Sequence, residues 1–249
     1  MSAIDLYNRP SPDHAHKVFE AVSLLREQAA LHPKLVQASS LGAEDMVVTH
    51  LIHLAGIDCG MFVLDTGKLH AETLALIGQI EQRYGTSVEV FRPRSEGVVR
   101  FVRDQGEDAM YRSTDLRKQC CDIRKMEPLA RALAGKDGWV TGLRREQSLA
   151  RADVSAVVQE PERVKISPIV EWSWGDVWHF IAEHQLPYNA LHDQFFPSIG
   201  CAPCTRAIAV GEDFRAGRWW WEQQSAKECG LHVQPVSTLP SPVAKNTAP

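Results

Sequence analysis

Hydrophobic positions along the chain follow two rhythms. Val18, Phe19, Val22, Leu25 and Ala29 recur at helical spacing, and Ser11-Pro12 upstream reads as an N-cap with proline at the first helical position. KLVQASS (34–40) is a short apolar run opening into small polar residues, the pattern of a buried strand, and Asp45 to Leu54 is again helical. CGMFVLDTG (59–67) is a second strand ending in turn residues, 70–84 is helical, and TSVEVFRP (86–93) is a strand stopped by proline. WVTG (139–142) is a further short strand, and Ser173-Trp174-Gly175-Asp176 resembles a capping box, with Asp for Glu, opening a helix through Ile181. Strands alternating with helices predict an α/β fold: a parallel twisted sheet with helices on both faces.

In such sheets ligands bind beyond the carboxyl ends of the strands, so loops 39–45, 65–68 and 142–151 are expected to gather on one edge. The pattern divides the chain into an N-terminal helical segment (1–33), an α/β domain for nucleotide and metal (34–204), a C-terminal catalytic segment (205–234) and a flexible tail rich in proline and small polar residues (235–249).

Composition narrows the function. Of 249 residues, 44% are hydrophobic and 23% charged, ordinary values for a globular domain. No apolar run approaches the ~18–20 residues of a membrane span, and the N-terminus lacks a signal-peptide core, so a cytoplasmic location and no membrane partner are expected. In a reducing compartment the six cysteines read as metal ligands or reactive thiols. A net charge of -4 argues against a general nucleic-acid binder. Residues 112–151 nevertheless carry ten Lys/Arg against five Asp/Glu, so this stretch is +5 and the remainder -9. Such an island suits a small anionic ligand, although a solvated helix face has the same signature.

Candidate chemistry lies in three sets of residues. SSLGAED (39–45) is a strand-to-helix loop whose backbone N–H groups and glycine suit phosphate, a weak signal that many loops share. It resembles the pyrophosphate loop of the ATP-pyrophosphatase (PP-loop, adenine-nucleotide alpha-hydrolase-like) superfamily, but Glu44-Asp45 stands where those enzymes have an Asp-Ser pair, which argues against ATP hydrolysis. Cys120-Cys121 and Cys201-Ala-Pro-Cys204 supply four thiols, enough for a cubane cluster or a zinc ion; buried cysteines beside a redox Cys-x-x-Cys are the third reading. Cys229, between Lys227 and His232, is a candidate nucleophile or an incidental thiol, and Cys59 reads as core packing. Arg144, Arg145, Arg151, Arg215 and Arg218 carry guanidinium groups of the kind that clamp phosphate or sulfate. Trp219-Trp220-Trp221 reads as core, interface or lid.

Taken together, Ser39–Asp45, Leu64–His70, Cys120–Lys125, Thr141–Ser148, Cys201–Arg206, Arg218–Trp221 and Glu228–His232 resemble, in order, the assimilatory adenylyl-sulfate and phosphoadenylyl-sulfate reductase family. The resemblance implies that Cys229 attacks the sulfate sulfur of adenylyl sulfate, expelling AMP and leaving a cysteine S-sulfonate, and that thioredoxin or a glutaredoxin-like dithiol then releases sulfite. It implies one [4Fe–4S] cluster per chain on Cys120, Cys121, Cys201 and Cys204. It places Ser39, Ser40, Gly42, Asp45, Asp65, Thr66 and Gly67 around the nucleotide, with Lys125, the five arginines and His232 near phosphate and sulfate. Members with both cysteine pairs mostly use adenylyl sulfate, while the 3′-phosphorylated nucleotide, or both, is the alternative. Without the fused thioredoxin-like domain of plant members, the reductant is expected to be a separate protein, and a homo-oligomer is left open. A sulfur-inserting RNA-modifying enzyme would need an intact pyrophosphatase loop and a broad basic surface. A zinc-stabilised nucleotide-binding module without catalysis would be colourless where an iron–sulfur protein is brown.

Overall fold

The computed structural model describes residues 1–148 and 151–222. Its sheet has six strands in the order β3-β2-β1-β4-β6-β5, with β1 Leu35–Ser39, β2 Gly60–Leu64, β3 Val88–Phe91, β4 Gly138–Val140, β5 Val157–Gln159 and β6 Val164–Ile166. Every pairing is parallel except that of β5 with β6. The first four strands lie where the apolar runs predict them. β5 and β6 do not stand out in the sequence, because three residues are too few to show a period of two.

Alternation along the strands splits the core into two layers. On one face Leu35, Val140, Val164 and Ile166 meet helices α2 (His14–Leu31), α3 (Ala43–Ala55) and α8 (Trp174–Glu183). Met61, Val63 and Val88 meet α3 and α4 (Ala71–Tyr84) through Met46, Leu76 and Ile80. On the other face Val36, Phe62 and Trp139 pack on Leu129, Ala132 and Leu133, at and just beyond α7 (Glu127–Ala132). Successive residues Met61 and Phe62 thus enter different clusters, as the pleat requires.

Two local readings differ from the structure. α2 begins at His14 rather than after Ser11, with Asp13 at its N-cap and no side-chain cap. Ser11 instead donates its backbone N–H to Asp176 at 2.7 Å, and its hydroxyl bonds the same oxygen. Phe19, counted in the apolar stripe, is exposed. The Ser173–Asp176 capping box is formed, with hydrogen bonds of 3.0 and 2.9 Å, and its helix runs through Glu183. No helix among the described residues is long and apolar enough to cross a membrane.

Candidate active site

Strand order reverses at β1, between neighbours β2 and β4, and there the carboxyl ends open a cleft of about 210 Å3. This switch point is where an open α/β sheet binds ligands. Ser39, Ser40, Gly42 and Asp45 line it from the β1–α3 loop, Thr66 from the loop after β2, and Thr141 and Gly142 from the loop after β4. Lys125, Arg151, Arg215, Arg218 and Trp219 complete the opposite wall.

The β1–α3 loop already holds an anion of its own. Asp45 Oδ2 accepts from the Ser40 backbone N–H at 2.7 Å and its hydroxyl at 2.6 Å, while Oδ1 accepts from the Gly142 N–H at 2.9 Å. A carboxylate therefore ties the end of β1 to that of β4, using donors that a pyrophosphate loop offers its ligand. Burial pushes the Asp45 carboxyl up to about 6, against the pull of the Ser40 bonds. A Cβ on Gly142 would sit 2.6 Å from Asp45 Oδ1, so the close approach requires glycine.

The arginines divide into two groups. Arg144, almost fully buried, pairs with Glu44 at 3.0 Å and Glu146 at 2.8 Å and donates to the Trp172 carbonyl at 3.1 Å. Burial pushes Glu44 up, but Arg144 and Gln147 more than offset it and leave the carboxyl below its usual range. Arg145 bonds the Val154 carbonyl at 2.9 Å and pairs with Glu171. Neither Arg144 nor Arg145 lines the cleft, and neither do Asp65 and Gly67. Asp65 accepts from Gly67 N–H and from Arg92, each at 2.9 Å, so it shapes the loop that carries Thr66.

Arg151, Arg215 and Arg218 do face the cleft. Arg218 is buried, stacks 4.6 Å from the Trp219 ring, and among the described residues makes long hydrogen bonds of 3.4 Å to Ser198 Oγ and the Ile199 carbonyl. A Cβ on Gly200 would lie 2.4 Å from its guanidinium, so this glycine makes the room the side chain occupies. Trp219 is held at φ 41 and also carries Arg117 at 4.5 Å and Arg215 at 5.9 Å.

Behind Trp219 lie the cysteines. Cys120 and Cys121 end helix α6 (Thr114–Cys121), and the chain continues through a π turn, Asp122–Met126. Such widened turns re-aim side chains and recur at functional sites. Cys201 and Cys204 flank a 3-10 turn docked on the β2 loop: Ala202 N–H donates to the Lys68 carbonyl at 2.7 Å, and Cys201 Sγ is 3.2 Å from Thr66 Oγ1. Trp219 N–H donates to the Cys204 carbonyl at 3.2 Å, so this tryptophan stands between the cleft and Cys204, while Thr66 links the cleft wall to Cys201.

No disulfide joins these four thiols. Burial raises Cys120 and pushes Cys204 up to about 11, and the thiol of Cys201 adds to both. Arg124 and Lys68 oppose this at Cys120, Arg218 and Lys125 at Cys204, and Arg117 bonds Cys121. Cys120, Cys201 and Cys204 lie near enough to feel one another's charge and Cys121 adjoins Cys120, so with five cations beside them the four residues fit a metal centre of net negative charge, since isolated buried thiolates would be costly. Sequence reasoning missed Lys68, Arg117 and Arg124, although the four-residue spacings Arg117–Cys121 and Cys120–Arg124 on a helix were a readable signal. It also missed His192, which lines the cleft and which burial pushes down to about 4. Cys59 packs against the core as expected. Cys229 and His232 lie outside the described residues.

A mostly parallel sheet with helices on both faces, a cleft at its switch point, a basic wall and four cysteines beside it define the class: an open, doubly wound α/β protein. The chain belongs to the phosphoadenosine phosphosulfate reductase domain family, which it matches over residues 34–207. It is 48% identical to adenosine 5′-phosphosulfate reductase of Burkholderia cepacia, over 93% of this chain and 93% of that one. It is 50% identical to the protein of that name from Allochromatium vinosum, over 85% of this chain and 84% of that one. Among solved structures it resembles phosphoadenylyl-sulfate reductase from Candida auris, with a TM-score of 0.63 and 23% identity over 78% of this chain and 97% of that one, a likeness of fold.

Proposed function

We propose that this chain reduces adenosine 5′-phosphosulfate to sulfite and AMP in cytoplasmic sulfate assimilation. One observation carries the reading: the switch-point cleft is walled by Arg151, Arg215, Arg218 and Lys125, and behind its Trp219 lie Cys201 and Cys204, two of four neighbouring cysteines that form no disulfide. Positive charge at the anionic end of a nucleotide cleft lets a thiolate approach a sulfate that would otherwise repel it. The nucleotide would lie over the strand ends, against Ser39, Gly42, Thr66 and Gly142.

Cys120, Cys121, Cys201 and Cys204 would hold one [4Fe–4S] cluster, and the ring of Lys68, Arg117, Arg124, Lys125 and Arg218 suits its charge. When bound, such a cluster cross-links α6 to the 201–204 turn through four Fe–S bonds. Cys229 acts as nucleophile. Its thiolate attacks the sulfate sulfur, an S–S bond forms, the bridging S–O bond breaks, and AMP leaves with the electron pair on its phosphate oxygen. A thiolate of thioredoxin or a similar dithiol then attacks the Cys229 sulfur and releases sulfite. Its second thiolate resolves the mixed disulfide, so the dithiol supplies both electrons.

The decisive experiment gives the anaerobic protein substrate without reductant. One sulfonate should appear on Cys229 by mass spectrometry and disappear on adding thioredoxin, and Cys229→Ser should bind nucleotide but form no sulfite. Sulfonate on another cysteine, or turnover by Cys229→Ser, sinks the mechanism. Faster turnover of the 3′-phosphorylated nucleotide than of adenosine 5′-phosphosulfate sinks the substrate assignment.

A further inference from the structure

Beside α2 and α8, in a pocket that shares no residue with the cleft, three side chains from the two helices meet. His14 is the first residue of α2, and His179 and Glu183 lie one turn apart on α8. One ligand atom from each falls within 4.8 Å of the others. The rings of His14 and His179 are 5.0 Å apart, edge to face. A small surface pocket opens over the three, with His184 also on its wall.

The surroundings of the two imidazoles are those of metal ligands. His179 Nδ1 donates to Asn8 Oδ1 at 2.9 Å, which leaves the Nε2 lone pair available. His14 is 7% exposed, and its Nε2 has no hydrogen-bond partner among the described residues. Its Nδ1 lies 3.3 Å from Asp176 Oδ1, a carboxylate held in place by Ser11, Ser173 and Lys17. Metal-bound histidines characteristically lean on a carboxylate or carbonyl through the ring nitrogen that is not coordinated. A buried polar atom without a partner needs an explanation, and a cation at His14 Nε2 provides one.

From this geometry we infer that His14, His179 and Glu183 form a second metal site, for a divalent cation of the zinc class, joining α2 to α8. Two imidazoles and a carboxylate suit zinc, nickel or copper rather than the all-oxygen preference of magnesium or calcium. Ligands at about 2.0–2.2 Å in tetrahedral array stand about 3.3 Å apart, so binding draws the donors together by about 1.5 Å at most. Glu183, exposed at the rim, supplies that movement by rotamer change, and a water from the open pocket takes the fourth position. The site ties α2 to α8, whose capping box Asp176 completes, and its occupancy is independent of the cysteine centre.

The test uses tag-free protein isolated anaerobically with its iron intact, so that the four thiols are not available to zinc. Equilibrium dialysis against micromolar ZnCl2 should add one zinc per chain without displacing iron, and should raise the unfolding temperature. His179→Asn and Glu183→Gln, both at or near the surface, should abolish zinc uptake and the thermal shift while iron content and far-ultraviolet circular dichroism stay unchanged. Asn8→Ala, which removes only the outer hydrogen bond, should weaken zinc about 10–100-fold. No zinc beyond the iron in wild type, or zinc retained in the His179→Asn, Glu183→Gln double variant, overturns the site.

Discussion

Arg117 donates through Nε to Glu222 Oε1 at 2.6 Å, and both side chains are sealed from solvent. The same guanidinium stacks on Trp219 and bonds Cys121. The pair therefore fixes the point from which the chain continues toward Cys229, seven residues further on. Glu222→Ala strands a buried guanidinium and should cost about 3–5 kcal/mol in urea unfolding. Sulfonate formation on Cys229 should slow in the same variant. An unchanged unfolding curve would show that the pair anchors nothing.

The two groups of arginines should separate in kinetics. Arg151→Ala and Arg218→Ala remove cleft-facing charge and should each weaken nucleotide binding or turnover by about 1.5–3 kcal/mol, with little change in folding. Arg144→Ala leaves Glu44 without its main partner and should lower the unfolding temperature first. Gly200→Ala should imitate Arg218→Ala, because its Cβ takes the place of the guanidinium. If Arg144→Ala and Arg218→Ala gave the same ratio of stability loss to KM change, this division would be wrong.

Metal content and stability should fall together. Serine at Cys120, Cys121, Cys201 or Cys204 should remove iron and the brown absorbance, and stripping iron from wild type with a chelator should lower the unfolding temperature by a similar amount, since binding a metal to a site that only the fold assembles is part of the folding free energy. Stoichiometric zinc with little iron in anaerobic protein would exclude the cluster.

His192 should make stability fall in acid. Burial holds its imidazole near 4 in place of the ordinary 6.5, so between those values the folded chain binds fewer protons than the unfolded chain. The stability it contributes is whole above pH 6.5 and is lost as pH falls toward 4, amounting to about 2 kcal/mol by pH 5. Asp45, raised from 3.8 to about 6, acts with opposite sign as pH falls through the same range. His192→Gln should therefore close on wild type as unfolding is followed from pH 7 to pH 5. Parallel curves would show that His192 does not titrate on unfolding.

Residue type and spacing determined a good deal here. Apolar runs bounded by polar turns marked β1, β2 and β4, because a strand buried on both faces needs a continuous apolar stretch, while the alternating VEVF before a proline marked the edge strand β3. The two cysteine pairs were legible because Cys120-Cys121 and Cys201-Ala-Pro-Cys204 stand out by spacing alone. Helices α5 (Ser95–Gln105) and α6 were not read: α6 is too polar to show a stripe, whereas Val98, Phe101 and Val102 of α5 offered one that was passed over. Tertiary structure alone decided which charges face the cleft. Arg144 and Arg218 look alike in sequence; one is consumed by Glu44, a hundred residues away, while the other is left over the cleft by the space at Gly200. Ser11 likewise gave up a helix cap for Asp176, and Asp45 filled the loop that resembled a phosphate cradle. In each case the deciding partner is distant along the chain, and a short polar side chain takes whichever partner the fold brings within hydrogen-bond reach, which local pattern does not encode.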